Sequence, residues 1–150
     1  MTEIYSCIAN SHGTGPDHPW DMIIGFDEFT PGDAFKPLNH KKCMVLSFNF
    51  EQLGQRLLNR DVTWMTPLVM RHHEIASIPG GWSRVFRDYL RLHLLGACGA
   101  VTSGVPIHLN GAVALIYVKF THLLADGDGW RIVFDWRGAS SLKPCRYKYM

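Results

Sequence analysis

The sequence predicts an α/β domain with a mixed sheet, in which the elements run strand, strand, strand, helix, strand, helix. An apolar run at 112–124, rich in Val, Ile, Tyr and Phe, is typical of a strand deep in a sheet. Apolar residues recur at helical spacing over 84–95, after three earlier apolar segments. The length of 150 residues corresponds to one domain that can bury a core.

Residues 1–20 are predicted to form a polar arm, and 21–150 the domain. Turn-forming residues, Ser-His-Gly-Thr-Gly-Pro-Asp-His-Pro, dominate the second half of the arm. Cys7, His12 and His18 could supply three zinc ligands, but their spacing fits no finger pattern and a fourth ligand is missing nearby. We therefore expect a loop without zinc.

The first half of the domain is predicted to hold three strands. They lie at 21–28, 41–50 and 62–71, and one or two exposed helical turns at 51–58 separate the last two. Pro67 lacks the N–H that a central strand needs. It therefore indicates that the third strand lies at an edge or contains a bulge.

A helix and a hairpin are predicted next. Pro-Gly-Gly at 79–81 breaks the chain, and Ser83 is a plausible N-cap for a helix at 84–95. Residues 105–109 are followed by Asn110-Gly111, a dipeptide that supplies both positive φ values of a tight hairpin turn. We expect 105–109 to fold back on the fourth strand, 112–124.

The charge pattern leaves nucleic acid open as a partner. A net charge of +2 neither requires nor excludes it, because patches matter more than totals. On the helix, three arginines form either a solvated face, with Asp88 pairing Arg91, or a stripe that contacts phosphates. The candidate nucleic-acid contacts are basic residues of this helix and of the tail: Arg84, Arg87, Arg91, Arg137 and Lys143.

The cysteines and the apolar runs bear on location. Four scattered cysteines without a Cys-x-x-Cys pair are typical of reduced thiols in an intracellular protein. Residues 1–10 do not have the pattern of a secretory signal. No apolar run reaches the roughly 18 residues that span a membrane, so we expect no membrane partner.

Two acids follow predicted strands. Asp27 ends the first strand and Asp126 ends the fourth, and in this element order those strands are neighbours. Phosphoryl transfer by two metal ions uses such a carboxylate pair, and Mg²⁺ prefers oxygen ligands. If the assignment of positions is shifted, Glu28 and Asp128 replace Asp27 and Asp126 as the candidate metal ligands. This order of strands and helices is shared by the ribonuclease H-like fold. The simplest alternative role for Asp126 is to form a turn, because Asp-Gly is a common turn dipeptide.

Two segments carry a resemblance to a known family. FDEFTPGD (26–33) and LLADGDGWRIVFDWRGASSLKPC (123–145) resemble the first- and second-aspartate segments of DDE-type DNA transposases, as in CACTA-like or related cut-and-paste families. The resemblance implies that Asp27 and Asp126 are catalytic metal ligands for Mg²⁺ or Mn²⁺, that DNA is the substrate, and that a functional protein is nuclear. Cys145 takes the place of the first cysteine of the family's zinc knuckle.

The departures from the family suggest an inactive remnant. The second knuckle cysteine is replaced by Lys148, and the third catalytic acid of the family would lie beyond Met150. We expect a ribonuclease H-like domain truncated at its C-terminus, inactive as it stands, which self-associates through an uncovered strand edge. The alternatives are a non-enzymatic remnant that binds nucleic acid or a partner, and an unrelated small α+β domain in which Asp126 only caps a helix.

Overall fold

The computed structural model describes residues 2–31, 42–109 and 111–134. Short 3₁₀ turns at Glu51–Leu53 and Asp61–Thr63 and a π-helix at Leu90–Leu95 supplement the regular elements. The α-helices are α1 (Thr2–His12), α2 (Gln55–Leu58), α3 (His72–Ala76), α4 (Gly81–Tyr89) and α5 (Gly127–Phe134). The strands are β1 (Trp20–Phe29), β2 (Cys43–Phe50), β3 (Met65–Arg71), β4 (Val105–Leu109), β5 (Ala112–Ile116) and β6 (Val118–Leu124).

Four strands form a mixed sheet in the order β3-β2-β1-β6. β1 and β2 are antiparallel, β2 and β3 are antiparallel, and β1 and β6 are parallel. The prediction of an α/β domain with a mixed sheet is confirmed, and so is the expected pairing of the first strand with the last one of this sheet. β3 lies at an edge, where Pro67 does not interrupt a central strand.

The predicted fourth strand is wrong in one respect, because the apolar run is two strands. β5 pairs with β4 in a separate two-stranded sheet, and β6 joins β1. The break falls at Tyr117, whose carbonyl oxygen accepts a hydrogen bond from the Trp20 N–H at 2.8 Å. Val118 N–H donates to the carbonyl oxygen of Ala100 at 3.2 Å. The hairpin is therefore present as predicted, but β4 pairs with β5, and within the described residues no strand pairs with the outer edge of β6.

The N-terminal segment was predicted to be a loop, and this is wrong for α1. Ile8 and Ser6 are buried, and the Tyr5 ring stacks on the Trp20 ring with centroids 6.2 Å apart. The Trp20 indole N–H also donates to the carbonyl oxygen of Gly13 at 2.8 Å. An apolar face of α1 thus joins the core, and a hydrogen bond fixes the end of the helix to the first strand.

The predicted helix at 84–95 is confirmed as helical, but it begins earlier and changes type. Its N-cap is Gly80, with φ 85°, and not Ser83. A left-handed backbone of this kind favours glycine, because other residues carry a Cβ that is crowded there. The α-helix ends at Tyr89 and continues as the π-helix.

The core lies between the sheet and helices α1, α4 and α5. The Trp82 ring of α4 packs edge-on against Phe26 of β1, with centroids 5.1 Å apart. On the other face of the sheet, buried Asn49 donates to the hydroxyl of Thr63 at 3.1 Å. The segment 51–64 is therefore held against that second face.

Candidate metal cleft

Asp27 lies near the carboxyl end of β1, two residues before the strand ends at Phe29, and Asp126 lies just after the carboxyl end of the parallel strand β6. The register of β1 and β6 pairs Gly25 with Leu124 at its end. Asp27 lies two residues after Gly25, and Asp126 lies two residues after Leu124. Neighbouring strands lie about 4.8 Å apart. The fold thus places the two aspartates on adjacent backbones.

Both aspartates line one open cleft of about 600 Å³. Gly25 forms part of its floor, where an added Cβ would lie 2.9 Å from the Ser47 hydroxyl oxygen. Asp61 also lines this cleft. We call it the aspartate cleft, and its lining includes Gly25, Asp27, Ser47, Asp61, Trp64, Thr66 and Asp126.

In each carboxylate, Oδ1 accepts a hydrogen bond from a nearby backbone N–H. Asp126 Oδ1 accepts from the Gly129 N–H at 2.6 Å, and the Asp126 carbonyl oxygen accepts from the Trp130 N–H at 3.0 Å. Asp126 is therefore the N-cap of α5. Asp27 Oδ1 accepts from the Glu28 N–H at 2.7 Å.

The substitutes proposed from the sequence have different surroundings. Glu28 forms an ion pair with Lys42, with Oε1 and Nζ 2.6 Å apart, and does not line the aspartate cleft. The side chain of Asp128 lies outside the described part of the chain. Asp61 and Trp64 were missed because the sequence places them at or beside the third strand, and only the fold of 51–64 brings them to this cleft.

Few of the described side chains at the aspartate cleft could coordinate a metal ion. Within 2–31, 42–109 and 111–134, no three His, Cys, Asp or Glu side chains are grouped so that they could hold a metal ion. Mg²⁺ keeps several waters and often takes only one or two protein carboxylates together with substrate phosphates. Asp27 and Asp126 fit a loosely held Mg²⁺ of this kind, whereas a closed protein cage does not fit.

The arginine face of α4 is largely occupied by one acid. Asp88 pairs with Arg84 at 2.9 Å and with Arg87 at 3.5 Å, so the prediction that it pairs with Arg91 is wrong. The hydrogen bond from Arg84, and then the charges of both arginines, hold the pKa of Asp88 below its ordinary value. Arg91 is exposed. Arg137, Lys143 and Cys145 lie outside the described residues.

No helix in the described ranges is long and apolar enough to cross a membrane. Compared with protein-family models, curated proteins and solved structures, the chain matches none of them.

Proposed function

We propose that this chain is a ribonuclease H-like domain of DDE-type transposase descent, in which Asp27 and Asp126 hold Mg²⁺ or Mn²⁺ for DNA strand cleavage or transfer. One observation carries the proposal. Asp27, near the carboxyl end of β1, and Asp126, just after the parallel strand β6, line the same cleft. In open α/β sheets this end of the strands is where ligands bind. The strand order β3-β2-β1-β6 supports the ribonuclease H-like arrangement.

The chemistry of the site would be phosphoryl transfer. A bound divalent cation would neutralise charge on a phosphate and lower the pKa of a water. Asp27 and Asp126 would hold the cation in place. Gly25 and Ser47, on the floor of the cleft, have small side chains or none and leave room for a phosphate. Two carboxylates bind Mg²⁺ weakly, and efficient transfer uses a third ligand. We therefore expect metal binding without efficient DNA cleavage.

The experiment is thermal unfolding in increasing MgCl₂ or MnCl₂. In the wild type, Tm should rise with the cation, because a ligand that binds only the folded state stabilises it. Asp27→Asn and Asp126→Asn should each reduce this rise. Asn at 126 still caps α5, since Asn and Asp are about equal as N-caps. Asp17→Asn, at an exposed loop position, is the matched control and should keep the full rise.

A Tm rise of equal size in all four proteins would refute the proposal. Such a rise would mean that the cation acts on overall charge and not at the aspartate cleft.

The observed cap favours a second candidate, an unrelated small α+β domain without a metal site. In that case Asp126 serves only to bond the Gly129 N–H. Asp126→Ala would then cost about 1 kcal/mol, Asp126→Asn would cost almost nothing, and no variant would respond to the cation. DNA binding that falls steeply with salt but needs no metal would instead support a non-enzymatic nucleic-acid remnant.

A further inference from the structure

An apolar cavity of about 280 Å³ lies on the opposite face of the sheet, between α1, β1, β2 and the β4–β5 hairpin. Ser47 and Phe48 are consecutive in β2 and point to opposite faces. Ser47 lines the aspartate cleft, and Phe48 lines this second space. The cavity, here called the aromatic cavity, is therefore independent of the proposed metal site. Its lining includes Tyr5, Trp20, Phe48, Phe50, Met65 and Ile107.

The aromatic cavity continues along the sheet and has a rim at the surface. A second space of about 310 Å³ shares Met22, Phe48 and Ala100 with it. Val105 and His108 of β4 line the aromatic cavity and are exposed. A small molecule could therefore enter beside the hairpin without separating the sheet from α1.

The aromatic rings around this cavity are held in fixed mutual geometry. The Trp20 and Phe50 rings meet edge to face, with centroids 5.3 Å apart and an interplanar angle of 80°. Phe48 meets Phe50 in the same way at 5.8 Å. Rings that present both edges and faces favour another flat ring, which can stack on one and meet another edge-on.

We propose that the aromatic cavity binds a neutral, planar aromatic molecule of two fused rings. An apolar cavity of about 150 Å³ stays dry and accepts benzene. This one has nearly twice that volume, which suits a second ring. Apart from Tyr5 and the exposed His108 of the rim, its lining residues are apolar, so a charged ligand inside the cavity would lose its hydration without gaining a partner.

Tyr5 supplies the polar contact that would orient the ligand. Its hydroxyl donates to the Met65 sulfur at 3.8 Å, and a thioether is only a weak acceptor. An oxygen on the ligand would be a better acceptor. Burial raises the pKa of Tyr5, which keeps the hydroxyl protonated as a donor at neutral pH.

The test uses 2-naphthol as the probe, with calorimetric titration and thermal unfolding of the full chain. Binding should be saturable at one site. At about 100 times Kd, Tm should rise by roughly 5–10 °C for a chain of this length. Ile107→Phe and Ala100→Leu each fill the cavity and should weaken binding at least about 10-fold, as expected for loss of about 1.4 kcal/mol. Val113→Phe, on the exposed side of the same hairpin, is the matched control and should bind within about 2-fold of the wild type.

Three results would overturn the proposal. The first is no saturable binding of 2-naphthol to the wild type, which would make the cavity a packing defect. The second is binding that both filling variants leave unchanged, which would place the ligand elsewhere. The third is tighter binding of 1-decanol than of 2-naphthol, which would favour an extended chain lying through both spaces over a flat ring.

Discussion

The buried pair Asn49 and Thr63 supports the wall of the aspartate cleft, and its removal has a calculable cost. Asn49 is 0% exposed and Thr63 is 2% exposed. Asn49 Nδ2 donates to Thr63 Oγ1 at 3.1 Å, and Oγ1 lies 2.7 Å from the Leu57 carbonyl oxygen and 2.8 Å from that of Arg60. The next residue is Trp64, which lines the cleft. A change at 63 therefore tests whether this network holds the wall.

Thr63→Val keeps the shape of the side chain and removes Oγ1. The two carbonyl oxygens keep backbone partners, because Arg60 N–H donates to Leu57 at 2.9 Å and Thr63 N–H donates to Arg60 at 3.0 Å. The main loss is the buried Asn49 Nδ2, which is left without its acceptor. An unsatisfied buried donor costs about 1–3 kcal/mol, and the lost bond itself about 1 kcal/mol. We expect a loss of about 2–4 kcal/mol in the free energy of unfolding.

Urea denaturation of a double-mutant cycle with Asn49→Leu measures this. In the double variant no Asn49 amide is stranded, so its loss should be about 1–2 kcal/mol smaller than the sum of the two single losses. Thr66→Val replaces an exposed threonine of β3 and should change stability by no more than about 0.5 kcal/mol. If Thr63→Val is as mild as Thr66→Val, or if the two single losses simply add, the network does not hold the wall.

Three further predictions concern other parts of the fold. The pKa of Asp88 is lowered in the folded protein, chiefly by the hydrogen bond from Arg84. Ionised Asp88 therefore stabilises the fold above its unfolded-state pKa near 3.8, and this stabilisation is lost as the pH falls through the lower folded-state pKa. The Tm difference between wild type and Asp88→Asn should vanish as the pH falls below 3.8. Trp82 is 3% exposed, and within the described ranges its indole N–H has no hydrogen-bond partner. Trp82→Ala should cost about 3–5 kcal/mol in urea denaturation, and Trp82→Phe, which keeps a ring and removes that N–H, less than about 1.5 kcal/mol; equal losses would contradict this. β6 ends the sheet with Phe120 41% exposed, so sedimentation at tens of micromolar should detect association that Phe120→Lys reduces, and a stable wild-type monomer would count against it.

The first three strands of the main sheet were predictable because each combines a dense apolar pattern with turn signals at its ends. The helix α1 was missed for the opposite reason. Ile4 and Ile8 are spaced four apart, and so are Tyr5 and Ala9, which is a helical signal. The Gly- and Pro-rich residues that follow outweigh this signal in a local window. The helix is stabilised by the contact of Tyr5 with Trp20, which no local pattern contains.

The break at Tyr117 could not be predicted for the same reason, because contacts distant in sequence determine it. The run 112–124 has uniform apolar composition, and nothing in it indicates where a strand should leave one sheet and enter another. The position is set by contacts with Trp20 and Ala100, which are distant in sequence. In the same way, the acids at the ends of the strands could be identified from the sequence. Asp61, on the lining of the aspartate cleft, could not, because its place depends on how 51–64 packs on the sheet.

Capping α5 and binding a cation both use the carboxylate of Asp126, and the cap limits how tightly a cation can bind there. The cap places the carboxylate at the N-terminus of α5, where the backbone carries a partial positive charge of about half a unit. That charge stabilises the aspartate and opposes a cation beside it. Asp27 lies within β1, which continues to Phe29, so its carboxylate is not at a helix N-terminus. A cation would therefore be held mainly by Asp27, so Asp27→Asn should remove more of the Mg²⁺-dependent rise in Tm than Asp126→Asn. The reverse order would show that the helix terminus does not weaken the site.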